Sequence, residues 1–283
     1  MDSIGNREVV PKPMTTSASV TSRLDEDLSL LLIPAFAIAI VYFLGQGHPS
    51  FLYMVSNGLP PLLALTALSM AIVGLVRNGV SVKNRFSMSW LGYSLGILLW
   101  FLGETTWAVY ALLYSNPNPF PSIADVFWLA GYVPLICAVL TQSWPFREFL
   151  RSRKMLTVGG VIFCVAAFLL AALIPPTYTS NLGGDLVSVA VGLAYPLLDV
   201  CLLIVALPVL FLYGRGTFWR PFLFVTIGLV LTFIGDILFT WTSLNGTYYD
   251  GSYLELFFHW SYLVLAYGFY MRFRNGSGPA MLE

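Results

Sequence analysis

The chain is 283 residues long, 58% apolar and 16% aromatic, and only 10% of it is charged, where soluble domains carry about 25% charged residues. A soluble body of this length cannot hide that much apolar surface, so a soluble enzyme and a disordered chain are both excluded. Its fourteen basic and fourteen acidic residues cancel and form no basic tract, which removes the electrostatic basis for nucleic-acid binding.

Residues 1–27 are polar, rich in Ser, Thr and Asp, and read as a flexible cytoplasmic tail. That tail has no apolar core of a signal peptide, so the first apolar run is expected to be retained. Runs long enough to cross a bilayer as helices, about 20 residues, follow at 28–46, 53–76, 88–114, 126–144, 155–177, 186–213, 222–244 and 253–273. Residues 274–283 form a short polar tail. The expected fold is therefore all-α, with eight transmembrane helices. Cys137, Cys164 and Cys201 lie inside these runs without CxxC spacing and read as packing residues, not a disulfide framework.

All the Lys and Arg residues fall in the N-terminal tail, at the C-terminal end (Arg272 and Arg274) or in alternate connections, around Arg77–Arg85, Arg147–Lys154 and Arg215–Arg220. Basic residues near span ends are retained on the cytoplasmic side. Both termini are accordingly expected inside a cell membrane.

The motifs repeat. Gly103-Glu104 in the third run matches Gly235-Asp236 in the seventh, and Pro61-Leu-Leu matches Pro196-Leu-Leu. Ser122, Asp125, Phe127 and Tyr132 open the fourth run in the spacing that Ser252, Glu255, Phe257 and Tyr262 have in the eighth. The order is preserved, so the chain reads as two four-helix halves, 28–144 and 155–273, in a parallel repeat about the membrane normal.

Asp125 and Glu255 stand three residues after Ser122 and Ser252 at helix starts, the spacing of a capping box. Glu104, Asp199, Asp236 and His259 are different. At 1.5 Å per residue they lie roughly 9–20 Å inside their spans, where an acid costs about 2.5–3.5 kcal/mol even on the lenient insertion scale. No Lys or Arg lies in a span core to pair with them. Helical spacing adds Trp100 and Trp107 to the face of Glu104, Tyr195 to that of Asp199, Thr232 and Thr240 to that of Asp236, and Tyr262 to that of His259. These residues are expected to line one outward-leaning, aromatic-walled pocket, either binding a small cationic or hydrogen-bonding ligand or relaying protons. The bland alternative is hydrogen-bonding glue between helices. No metal-binding spacing occurs, no cofactor is predicted, and no nucleophile–base pair suggests an enzyme.

Pro121-Ser-Ile-Ala-Asp125-Val-Phe-Trp-Leu-Ala-Gly-Tyr132, Tyr195-Pro-Leu-Leu-Asp199, Gly235-Asp236-Ile-Leu-Phe239 and Trp260-Ser-Tyr262 resemble the N-terminal polytopic membrane sensor module of bacterial GGDEF/EAL (diguanylate cyclase/phosphodiesterase) and histidine kinase proteins. The likeness covers roughly residues 95–265, through short motifs kept in order. It implies a module that perceives a signal at the membrane and passes helix movement to a cytoplasmic output. The sequence continues only about ten residues past its last span, so that output is expected to be a partner effector protein. The functional expectation is a signal-sensing or small-ligand-binding membrane module; the alternative is a small proton- or cation-coupled transporter using the same acids.

Overall fold

The computed structural model describes residues 17–81, 83–114, 120–144, 148, 152–181, 186–212 and 220–274. Among them the chain is all-helical: α1 Ser17–Gly45, α2 Pro49–Asn78, α3 Arg85–Leu112, α4 Ile123–Ser143, α5 Arg153–Asn181, α6 Leu186–Leu212, α7 Arg220–Leu244 and α8 Leu256–Arg274, with a 3₁₀ turn at Tyr253–Glu255. A helix satisfies every backbone polar group within itself, as hydrocarbon surroundings require. α1 starts at Ser17, so helix runs through eleven residues that the sequence assigns to the tail.

Among the described residues, six helices are long and apolar enough to cross a membrane: α1 to α4, α6 and α7. In α5 the apolar stretch is shorter, Met155–Leu169. The polar residues of α8 lower its hydropathy, yet α8 is the most enclosed helix, with His259, Ser261 and Arg272 all buried. Large apolar side chains such as Ile33, Phe43, Val76 and Phe168 face outward, the pattern of an integral membrane protein in which lipid covers the outer surface. Cys137, Cys164 and Cys201 are unpaired and lie on that outer surface, not in the packing positions expected of them.

Six helices close a ring in which α2 packs on α3, α3 on α4, α4 on α6, α6 on α7, α7 on α8 and α8 back on α2. Outside it, α1 leans on α8, and α5 on α6 and α7. Small residues set the closest approaches. A Cβ at Gly96 would stand 2.5 Å from Leu135 Cγ, and one at Gly228 2.6 Å from Leu265 Cγ. The core is continuous through the ring and includes Ala64, Ala67, Ile97, Leu135, Leu229 and Leu265.

Candidate functional site

The site follows from the two glycine-lined crossings. Gly131 of α4 lies under the Trp100 indole, its would-be Cβ 2.5 Å from Trp100 Cδ1, and Trp100 Nε1 donates to Trp128 O at 3.2 Å. The next residue, Tyr132, therefore points inward. Its hydroxyl lies 2.6 Å from Asp199 Oδ1 on α6 and 3.0 Å from Asp236 Oδ2 on α7. Across the ring, Tyr262 of α8 donates to Glu104 Oε1 of α3 at 2.8 Å. The Trp100 ring meets both tyrosines edge-on, with centroids 5.7 Å from Tyr132 and 6.4 Å from Tyr262. The Tyr132 hydroxyl thus brings one proton to two carboxyls.

Of the residues expected in one pocket, Glu104, Asp199, Asp236, Trp100 and Tyr262 do meet here. Thr232 lies beside them, its hydroxyl 2.6 Å from Ser261 Oγ. Tyr195 turns from Asp199, one helical turn away, and donates to Asp125 Oδ1 at 2.8 Å. Trp107 donates to Asn57 Oδ1 at 3.1 Å and packs on Trp128. Thr240 is half-buried and joins none of these bonds.

His259 belongs elsewhere. Its Nδ1 lies 2.6 Å from the Glu255 carbonyl and its Nε2 3.2 Å from the Tyr42 hydroxyl of α1. That hydroxyl lies 2.7 Å from Glu255 Oε2, while Tyr248 OH and Gly251 N–H both donate to Glu255 Oε1 at 2.9 Å. Tyr132, Tyr42 and Tyr248 are tyrosines that the candidate residues omitted. The sequence carried a signal for Tyr132, which stands in the repeated motif.

The two expected caps diverge. Asp125 accepts from Ser122 N–H at 2.6 Å, and Ser122 Oγ accepts from Ala124 N–H at 3.2 Å, a capping box on α4. Ser252 makes no side-chain cap bond. The turn there is 3₁₀, and Glu255 spends its oxygens on tyrosines and on Gly251 instead. Asp250, read from the sequence as a solvated loop charge, is half-buried. Burial raises its pKa, against an opposing hydrogen bond from the Asn57 side chain.

No protein-family model, curated protein or solved structure matches the chain.

Proposed function

We propose that this protein is an integral membrane module that senses a signal or binds a small ligand, with Glu104, Asp199, Asp236, Tyr132 and Tyr262 as its working site. The observation that carries this reading is the Tyr132 hydroxyl, which stands between carboxyls of two different helices. Three carboxyls with two phenolic donors form an acceptor-rich centre without a lysine or arginine partner in any span core. Such a centre takes up protons, or a small cation or hydrogen-bond donor whose contacts shift the helices that carry the acids.

In this reading the eight helices are eight spans of the cell membrane with both termini in the cytoplasm, arranged as two four-helix halves. Several observations support the repeat. Gly96 against Leu135 has its counterpart in Gly228 against Leu265, and Gly103 against Trp128 in Gly235 against Phe258. The ring order is unchanged when α2, α3 and α4 are exchanged with α6, α7 and α8. The resemblance to bacterial sensor modules gains weight because its motif residues bond to one another: Asp125 with Tyr195, and Tyr132 with Asp199 and Asp236. A cytoplasmic effector protein would receive the helix movement.

A second reading, a small proton- or cation-coupled transporter, draws on the position of the acids where the two halves meet, the usual place for a coupling site. Reconstituted protein separates the two. A carboxylic C=O infrared band that titrates and is altered in Asp236→Asn, without proton flux in proteoliposomes, supports the sensing module. Flux that is abolished in Asp199→Asn and Asp236→Asn overturns it in favour of transport. A cluster with no titrating band overturns both.

A further inference from the structure

Beyond the carboxyl cluster, Glu255, Tyr42 and His259 form a chain of hydrogen bonds whose proton count is fixed by geometry. A backbone carbonyl only accepts, so His259 Nδ1 carries a proton and donates to Glu255 O at 2.6 Å. Apart from the Ser56 hydroxyl that faces it, the Tyr42 hydroxyl has two contacts, Glu255 Oε2 at 2.7 Å and His259 Nε2 at 3.2 Å. Each needs a proton between its atoms, and the phenol has one. The second sits on Glu255 Oε2 or on His259 Nε2, and the two placements interconvert through the hydroxyl without a change in total charge. The group therefore holds one proton more than a carboxylate, a phenol and a neutral imidazole.

We propose that Glu255, Tyr42 and His259 are a second proton-binding site, separate from the carboxyl cluster, whose bound proton holds α1 against α8. Loss of that proton leaves one phenolic hydrogen for two acceptors, so one contact becomes an unpaired encounter of lone pairs. The contact most exposed to this is the one α1 makes with the ring, because Tyr42 is fully buried while its helix neighbours Ile40, Phe43 and Leu44 face outward. The groups facing the site come from every element around it. The α7–α8 connection contributes Tyr248, the Gly251 N–H and the charge of Asp250, and α2 contributes the Ser56 hydroxyl. Gly251 and Tyr248 place Glu255 beside that connection.

The test is hydrogen–deuterium exchange of residues 31–45 in full-length protein in lipid nanodiscs, corrected for intrinsic rates, from acid to alkaline pH. In the wild type, α1 exchanges at least about tenfold faster above a single midpoint, the expected mark of a lost contact. In Glu255→Gln the amide donates to Tyr42 at every pH, so protection stays high and the midpoint vanishes. In Tyr42→Phe both contacts are gone and exchange is fast throughout. Asp236→Asn leaves the wild-type midpoint in place. Exchange of α1 that ignores pH in the wild type, a midpoint that survives Glu255→Gln, or one that moves with Asp236→Asn overturns the proposal; the last would assign the proton to the carboxyl cluster. As an independent readout, the His259 ring nitrogen resonances must change through the same midpoint.

Discussion

Tyr262 of α8 bonds to Glu104 of α3 at 2.8 Å, and the sequence counterparts of this pair, Tyr132 and Asp236, bond at 3.0 Å between α4 and α7. α4 thus supplies a hydroxyl to an acid of α7, and α8 one to an acid of α3, and the two bonds cross the interior of the ring. An acid placed in hydrocarbon with no counter-charge needs a donor, and here each donor comes from a helix across the ring. The polar centre therefore ties α3 to α8 and α4 to α6 and α7 as well as holding the acids.

Removal of the Tyr132 hydroxyl should cost about 1–3 kcal/mol, the penalty of leaving a buried acceptor without its donor. Tyr132→Phe is accordingly expected to lower the thermal unfolding midpoint of detergent-solubilised protein. Asp199→Asn introduces an amide that donates to Asp236 in place of the lost phenol. The double variant Tyr132→Phe/Asp199→Asn should therefore be more stable than Tyr132→Phe alone. Simple additivity of the two losses would show that Tyr132 does not bridge the acids.

Gly96→Ala and Gly228→Ala should destabilise the protein by similar amounts, each about 1–3 kcal/mol from overpacking. Both would place a Cβ within 2.6 Å of a leucine Cγ and 3.2 Å from a backbone carbonyl on the partner helix. Trimming the facing leucine relieves the first contact but not the second. Leu135→Ala should thus partly rescue Gly96→Ala and do nothing for Gly228→Ala, with Leu265→Ala behaving the opposite way. Four single variants and their cross-paired doubles, compared by thermal unfolding, check both the equivalence and the pairing.

The bundle was legible in the sequence because hydrocarbon surroundings demand long apolar runs. The acids stood out for the same reason, as isolated costs without compensation. The assignment of donors was not legible. Tyr42 lies 213 residues from Glu255, and no local spacing encodes that meeting. Glu255 sits at S-x-x-E spacing, which suits both a cap and a tertiary acceptor, and only the 3₁₀ turn at Tyr253–Glu255 distinguishes them. His259 and Tyr262 are about 60° apart around α8, close enough to read as one face. On a helix enclosed by α1, α2 and α7, that angle is enough to send one side chain to α1 and the other to Glu104.

The two glycines of the α7–α8 connection should differ in their tolerance of alanine. Gly246 has φ 64° and ends α7 in a Schellman motif, with Thr247 N–H donating to Thr242 O and Gly246 N–H to Ser243 O. A Cβ there meets nothing within 4 Å, so Gly246→Ala should cost only the left-handed penalty, about 1–2 kcal/mol. Gly251 has φ 89°, and its Cβ would lie 2.7 Å from Leu52 Cβ. It also accepts from Gln46 Nε2 and donates to Glu255. Gly251→Ala should be the more damaging by unfolding midpoint, and only Gly251→Ala should speed exchange in α1.

Membrane orientation gives a prediction that needs no unfolding at all. Gln46 and Tyr249 bond to one another at 3.1 Å, so the α1–α2 and α7–α8 connections share one end of the bundle, and helix parity places Arg77 and Lys83 at the other. Basic residues remain cytoplasmic, so the end carrying Asn245 should face out. Cysteine substituted for Asn245 should react with a membrane-impermeant maleimide in intact cells, whereas Lys83→Cys should react only after lysis. The native cysteines lie on the apolar outer face of the helices, where lipid shields them from such a reagent, so background labelling stays low. Labelling of Lys83→Cys in intact cells together with protection of Asn245→Cys would invert the orientation. It would also put the Glu255, Tyr42 and His259 group on the cytoplasmic side, where it would respond to internal pH.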